Sequence, residues 1–200
     1  TVSLVSNRDP SPLVPALAHP LPGTDGSLES FDEWRTTLLA VLGLTDGWLH
    51  VRDPLDTEHA AWVLPLDHAD GAYASEDWST DVELELLRAE GPAGLRLPLD
   101  ELPAASSRRA LTVEVRDGVL HIFLPPFAQA GFLDLLDRCV RALQHHGIGP
   151  VRFGGQLPHD ERAVWTTLGI AADPGVLEIN LPPCPTWHEH RMWLSRLEHA

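Results

Sequence analysis

Residues 110–126, ALTVEVRDGVLHIFLPP, decide the fold of this chain. The first half of the stretch alternates apolar and polar side chains, as a half-buried β-strand does. Asp117-Gly118 then supplies a tight turn, and Val119–Leu124 returns as the partner strand. Pro125-Pro126 ends the pairing because proline has no N–H to donate to a neighbouring strand. The stretch therefore predicts a β-hairpin.

The segments after the hairpin predict alternating helices and strands. In chain order we expect a helix over 128–146 capped by Gly147, a strand over 151–153 ending at Gly154-Gly155, a helix over 160–168, a strand over 176–181, and a final helix from His188. Residues 104–200 thus form a predicted ββαβαβα subdomain. This order favours the α+β class, with a mainly antiparallel sheet and helices packed on one face.

The segments before the hairpin are less regular. Residues 1–27 are rich in Pro, Gly, Ser and Asp and predict an irregular arm. Residues 28–103 predict an acidic subregion with one helix and short strands. Its predicted elements are a helix from the capping box at Ser30 to Leu42, strands over 48–51 and 61–66, either a strand or a helical turn over 82–88, and an extended segment over 95–99.

Charge and composition exclude several classes of protein. The net charge is −15. The stretch from Asp53 to Glu101 contains thirteen acidic residues and only two basic ones, Arg88 and Arg96. Such a surface repels phosphate backbones, so we expect no nucleic-acid partner.

No apolar run is long enough to span a membrane, and the first residues lack a signal-peptide pattern. With only two cysteines, the sequence predicts a cytoplasmic protein and no membrane association.

All fourteen basic residues are arginine, and the chain contains no lysine. A phosphate-binding P-loop lysine and a Schiff-base lysine are therefore excluded. Any phosphate or carboxylate that the protein recognises must therefore be bound by arginine side chains or backbone amides. Gly154-Gly155, placed between a predicted strand and a predicted helix, is the candidate phosphate contact.

The predicted strand at 176–181 carries a carboxylate and an amide on one face. Glu178 and Asn180 point to one side, whereas Leu177 and Ile179 point to the other. One interpretation is an edge strand with a solvated face. The other is a functional site, because a buried carboxylate needs a cation, a donor or water beside it.

Several separated motifs resemble one bacterial family in order and spacing. They are AAWVLPL (60–66), GPAGLRLPLDELP (91–103), the hairpin with the helix after it, and DPGVLEINLPPCPTW (173–187). The family is the amidoligase domain that is commonly fused behind a transglutaminase-like cysteine-peptidase domain. The resemblance spans residues 48–195 and identifies the chain as part of such a domain.

This resemblance implies a relative of the glutamine-synthetase-like carboxylate–amine ligases, which use ATP and magnesium. The implied substrate is a peptide or an amino acid. Glu178 and Asn180 fall on the family's Glu-x-Asn strand, and Glu114 and Arg116 fall on its Val-Glu-x-Arg-Asp-Gly hairpin. By resemblance, Glu178, Asn180 and Arg116 are candidate catalytic residues. Glu114 and Glu178 are candidate metal ligands.

The sequence departs from the family pattern at three places, and these departures favour a non-catalytic interpretation of the chain. Phe153 replaces an acidic residue, Pro182 replaces a histidine, and the family's glycine- and histidine-rich motif does not follow before Ala200. We therefore expect the chain to carry part of an active site and to be inactive alone. Its partner would be the rest of a larger parent protein or a transglutaminase-like protein. The alternative is a non-catalytic interaction domain with an acidic docking face.

Overall fold

The computed structural model describes residues 2–7, 28–56, 60–78, 84–116, 118–158 and 165–198. Its internal contacts divide the chain into two compact units. The central unit comprises residues 14–160, and the terminal unit combines residues 1–13 with 161–200. Helices and mostly antiparallel strands are both present, which confirms the predicted α+β class.

The helices and strands follow one another along the chain in an irregular alternation. In chain order they are β1 (Val2–Asn7), α1 (Leu28–Leu42), β2 (Leu49–Arg52), β3 (Ala60–Pro65), β4 (Asp67–Ala69), β5 (Ala72–Ala74), β6 (Ala110–Arg116), β7 (Val119–Leu124), α2 (Gln129–His146), β8 (Val151–Gly155), β9 (Trp165–Asp173), β10 (Val176–Asn180) and α3 (Trp187–Glu198). In the described residues, no helix is both long and apolar enough to cross a membrane.

The central unit is built on a five-stranded sheet with the order β2-β3-β6-β7-β8. Every pair is antiparallel except β7 with β8. The predicted hairpin is confirmed as β6 and β7, and Gly118 in its turn has a φ of 71°. Glycine adopts a positive φ more readily than other residues, which explains the Asp-Gly signal in the sequence.

The two faces of this sheet are covered by different parts of the chain. On one face, the Arg35 guanidinium of α1 stacks 3.6 Å from the ring of Trp62 on β3. We name this the helix face. The other face carries Ala61 and Val63, which join a buried apolar cluster with Ala93 and other residues between β5 and β6. We name this the loop face, since non-helical segments cover it.

The two long helices agree with the sequence pattern. Helix α2 ends at Gly147, which has a φ of 66° and donates its N–H to the carbonyl of Gln144. This is the predicted glycine cap. Helix α1 begins at Leu28, so Ser30 lies within its first turn and does not precede it as the capping-box prediction required.

Three predicted segments differ in the structure. The predicted helix over 160–168 is wrong, because Trp165–Asp173 forms strand β9, and residues 159–164 lie outside the described part. The predicted arm contains strand β1. The two ends of the predicted extended segment over 95–99 belong to 3-10 turns, at Ala93–Leu95 and Leu99–Glu101, and no strand forms between them. The order after residue 104 is therefore ββαβββα.

Long-range pairing explains the first two differences. In the terminal unit, β9 is the middle strand and pairs antiparallel with both β1 and β10. Its two neighbours come from opposite ends of the chain. Local sequence patterns carry no information about such pairing, whereas backbone hydrogen bonds to two neighbours strongly favour the strand.

A buried tyrosine joins the β4–β5 hairpin to helix α2. The Tyr73 hydroxyl donates to Asp134 Oδ2 at 2.8 Å and lies 3.2 Å from the carbonyl oxygen of Gly131. The Arg138 Nε donates to the same Asp134 oxygen at 2.7 Å. Burial raises the pKa of Asp134, but these hydrogen bonds outweigh burial and hold the pKa below its usual range.

We expect Tyr73→Phe to lower the free energy of unfolding by about 1–2 kcal/mol, because a partly buried hydrogen bond to a carboxylate is lost. The pKa of Asp134 is lowered in the folded state. Its contribution to the free energy of unfolding is therefore present above the unfolded pKa of about 3.9 and is lost as pH falls further. Urea unfolding of both proteins at about pH 7 and pH 3 should show the difference shrinking at the lower pH. A constant difference would contradict this prediction.

Candidate functional site

Strand β6 places Glu114 and Arg116 on the same face of the central sheet. Side chains alternate along a strand, so residues two apart point the same way. Glu114 pairs with Ala61 on β3 and with His121 on β7, which places all three residues on the loop face. The structure therefore brings together the two site residues predicted on the hairpin.

Glu114 is a buried carboxylate that holds a 3-10 turn against the sheet. It is 4% exposed, and its Oε1 accepts the backbone N–H of Ala93 at 3.1 Å. The same oxygen lies 3.9 Å from Nη1 of Arg116, whose side chain is 42% exposed. Glu114 thus links the buried turn to an arginine that reaches solvent.

A buried ion pair lies close to Glu114. Arg96 donates from Nη1 and Nη2 to the two carboxylate oxygens of Asp53, each at 2.6 Å. Its Nε donates to the carbonyl of Leu87 at 3.0 Å. Hydrogen bonding to Asp53 raises the pKa of Arg96 against the effect of burial, and the negative charge of Glu114 contributes in the same direction.

The surroundings of Glu114 fit a magnesium ion poorly. Magnesium prefers several oxygen ligands in an octahedral arrangement. Here one Glu114 oxygen already accepts an N–H, and the guanidinium of Arg116, 3.9 Å from the same oxygen, repels a divalent cation. Over the described ranges, no group of three or more His, Cys, Asp or Glu side chains is placed to bind a metal ion.

Glu178 and Asn180 lie on the edge strand β10 of the terminal unit. Both are exposed, and Val176 on the same strand is exposed as well. The strand prediction is confirmed, and its surroundings agree with the interpretation as a solvated edge. Glu114 belongs to the central unit, so a metal ion shared by Glu114 and Glu178 stays a prediction.

Gly154 and Gly155 lie within strand β8 and not in a loop before a helix. A Cβ on Gly155 would lie 2.6 Å from the carbonyl oxygen of Leu124, and one on Gly154 would lie 3.2 Å from the Phe123 ring. Close packing against β7 is therefore enough to explain both glycines. Their role in binding phosphate stays a prediction.

The structure adds two residues that the sequence reasoning missed. His121 lies opposite Glu114, and Arg152 on β8 lies opposite His121 in the parallel pair. The hairpin turn fixes the position of His121, so the sequence contained that signal. Nothing local could place Arg152, because β8 reaches β7 only through the crossover helix α2.

Comparison with known proteins finds a family model that matches the part of the chain containing these residues. Residues 103–200 match the family model described as "Putative amidoligase enzyme (DUF2126)". The matched segment begins before β6 and includes Glu114, Arg116, His121 and Arg152. No curated protein and no solved structure matches the chain significantly.

Proposed function

We propose that this chain, whose residues 103–200 match the amidoligase family, contributes part of the active site of an ATP-dependent carboxylate–amine ligase. The substrate would be a peptide or an amino acid. The observation that carries the proposal is Arg116, a solvent-accessible arginine placed beside a buried carboxylate within the matched segment. Fold resemblance to glutamine-synthetase-like ligases belongs to the same proposal.

Such a ligase makes an amide bond in two balanced steps. A carboxylate oxygen attacks the γ-phosphorus of ATP, and ADP leaves. The amine nitrogen then attacks the carbonyl carbon of the acyl phosphate, inorganic phosphate leaves, and the nitrogen loses a proton. Both steps develop negative charge on oxygen atoms, which a fixed guanidinium stabilises.

The side chains of the hairpin would supply that positive charge. Arg116 can present its guanidinium to phosphate or carboxylate oxygens, since more than a third of its side chain reaches solvent. Glu114 would place a negative charge 3.9 Å from Arg116 while it holds the 3-10 turn through Ala93. We derive no step through magnesium, because the surroundings of Glu114 fit a cation poorly.

The two polar residues of β10 enter the proposal separately. Glu178 and Asn180 are exposed on the terminal unit, and a catalytic role for them is a proposal of its own. Glu178→Gln tests this part of the proposal. We expect a clear loss of turnover if the carboxylate acts in catalysis, and unchanged turnover would show a solvated surface residue.

Trapping with hydroxylamine tests the ligase proposal directly. The protein in its natural length is incubated with ATP, hydroxylamine and a panel of amino acids and peptides. An acyl phosphate yields a hydroxamate, and phosphate is released in equal amount. We expect Arg116→Ala to reduce hydroxamate formation by about 100-fold, as loss of an electrostatic contact to the transition state does.

A matched variant controls for the loss of one positive charge. Arg108 is exposed, precedes β6, and donates only within its own loop to the carbonyl of Ser106. Arg108→Ala should leave hydroxamate formation unchanged. If the unaltered protein forms no hydroxamate with any carboxylate in the panel, the ligase proposal is wrong.

A non-catalytic interaction domain is the second candidate. Strand β10 is an edge strand of its sheet, and such strands pair readily with partner chains. In α3, the exposed apolar side chains include Trp187, which is 72% exposed, and Met192. A protein that binds a basic peptide yet forms no hydroxamate would favour this candidate.

A further inference from the structure

Three neighbouring strands align two arginines and a histidine on the loop face. Arg116 lies on β6, His121 on β7, and Arg152 on β8. His121 pairs directly with Arg152, and Arg116 lies one step further toward the hairpin turn. We name these three residues the cationic row, after its two arginines.

The local charge contrasts with the charge of the whole protein. The chain has 29 acids and 14 arginines, yet Glu114 is the only acid that β6, β7 and β8 place on the loop face among their described residues. Glu114 is buried, whereas Arg116 and Arg152 are exposed. Among the side chains that these three strands place on the loop face, the exposed formal charges are therefore positive.

The arginines of the cationic row are incompletely neutralised. Arg116 meets Glu114 through a single N–O distance of 3.9 Å, which is too long for a hydrogen bond. Arg152 forms no ion pair with any residue that the structure describes. Most other described arginines, such as Arg96 and Arg141, bind a carboxylate at short distance. Both guanidiniums therefore retain donors for an added ligand.

The spacing of the strands allows both guanidiniums to bind one anion. Arg116 and Arg152 are separated by two strand spacings and one two-residue step, which corresponds to roughly 12 Å between Cα atoms. Arginine side chains are long enough to meet above the intervening His121. The 3-10 turn at Ala93–Leu95 borders the row, because an added Cβ on Gly94 would overlap the Phe123 side chain of β7.

We propose that Arg116 and Arg152 form a two-arginine subsite for an anionic oxygen group, either a carboxylate or a phosphate. The physiological meaning of this subsite rests on the proposed ligase function, in which the substrate carboxylate and the ATP phosphates are the two sources of such a group. Arginine binds both groups with paired N–H donors. Arg152 is the new element of the site.

Calorimetric titration tests the subsite without any turnover. The probes are sodium triphosphate and glutarate, added to the protein at low ionic strength, where electrostatic binding is strongest. We expect Arg116→Ala and Arg152→Ala each to weaken binding by about tenfold. Arg152→Lys should lose part of that affinity, since lysine keeps the charge and loses the paired donors. Arg108→Ala is the control and should bind as the unaltered protein does.

The outcomes separate the subsite from the ligase proposal. Tight binding of triphosphate alone assigns the subsite to the nucleotide, and binding of glutarate alone assigns it to the substrate. If Arg152→Ala, with an unchanged circular dichroism spectrum, binds both probes normally, the subsite is wrong. If neither probe binds, it is also wrong. Hydroxamate formation tests only the ligase proposal, whereas the titration tests only the two-arginine subsite. Either proposal can therefore fail while the other holds.

Discussion

Arg96→Ala is expected to lower the free energy of unfolding by about 3–5 kcal/mol, because it leaves the Asp53 carboxylate buried without its partner. The two guanidinium donors to Asp53 are both 2.6 Å long, and both side chains are almost fully buried. The same substitution also removes the bond from Nε to the carbonyl of Leu87. Urea unfolding followed by tryptophan fluorescence measures the loss.

An exposed ion pair in the same region provides the control. Arg52 contacts Glu85 at 2.5 Å, but the two side chains are 54% and 46% exposed. Arg52→Ala should therefore cost no more than about 1 kcal/mol, despite the short distance. Replacing both buried partners, as Asp53→Asn with Arg96→Met, should recover part of the lost stability. Equal losses for Arg96→Ala and Arg52→Ala would contradict our account of burial.

Gly94→Ala is expected to destabilise the protein by about 1–3 kcal/mol through overpacking. An added Cβ would overlap the ring of Phe123 and lie 2.8 Å from its Cβ atom. Gly94 belongs to the 3-10 turn that Glu114 holds through Ala93. The substitution should therefore also displace this turn from the site and reduce hydroxamate formation.

A double-mutant cycle checks the cause of this effect. If the ring of Phe123 is the main obstacle, Phe123→Ala should relieve most of the cost of Gly94→Ala and leave only the 2.8 Å contact with the Cβ atom of residue 123. The coupling between the two substitutions should be about 1 kcal/mol or more in the free energy of unfolding. Additive losses would show that Gly94→Ala acts through its own backbone and not through the contact.

Local patterns predicted the parts of the fold that local interactions stabilise. The hairpin of β6 and β7 followed from alternation and a turn dipeptide, and helix α2 followed from an apolar stripe with a glycine cap. Strand β9 was missed because its partners β1 and β10 lie far apart along the chain. The β4–β5 hairpin was missed as well, although Asp70 and Gly71 both adopt the positive φ that its turn requires.

The residues of the candidate site also fall into two groups, those that the sequence placed together and those that only strand pairing and packing brought there. Glu114 and Arg116 share a face because they are two residues apart on one strand, so the sequence alone placed them together. Arg152 joins them only through the parallel pairing of β7 with β8. The partnership of Asp53 with Arg96 depends on how the segment after β5 packs over the loop face.

The sequence by itself therefore determined the hairpin, the helices α1, α2 and α3, and the face that carries the candidate carboxylate. Periodicity and turn residues act over a few positions, so they can be read locally. The tertiary structure decided that Glu114 is buried beside Arg116, that Arg152 lies in the same row, and that Glu178 lies on an exposed edge. These properties arise from strand pairing and burial between distant segments, which no local pattern encodes.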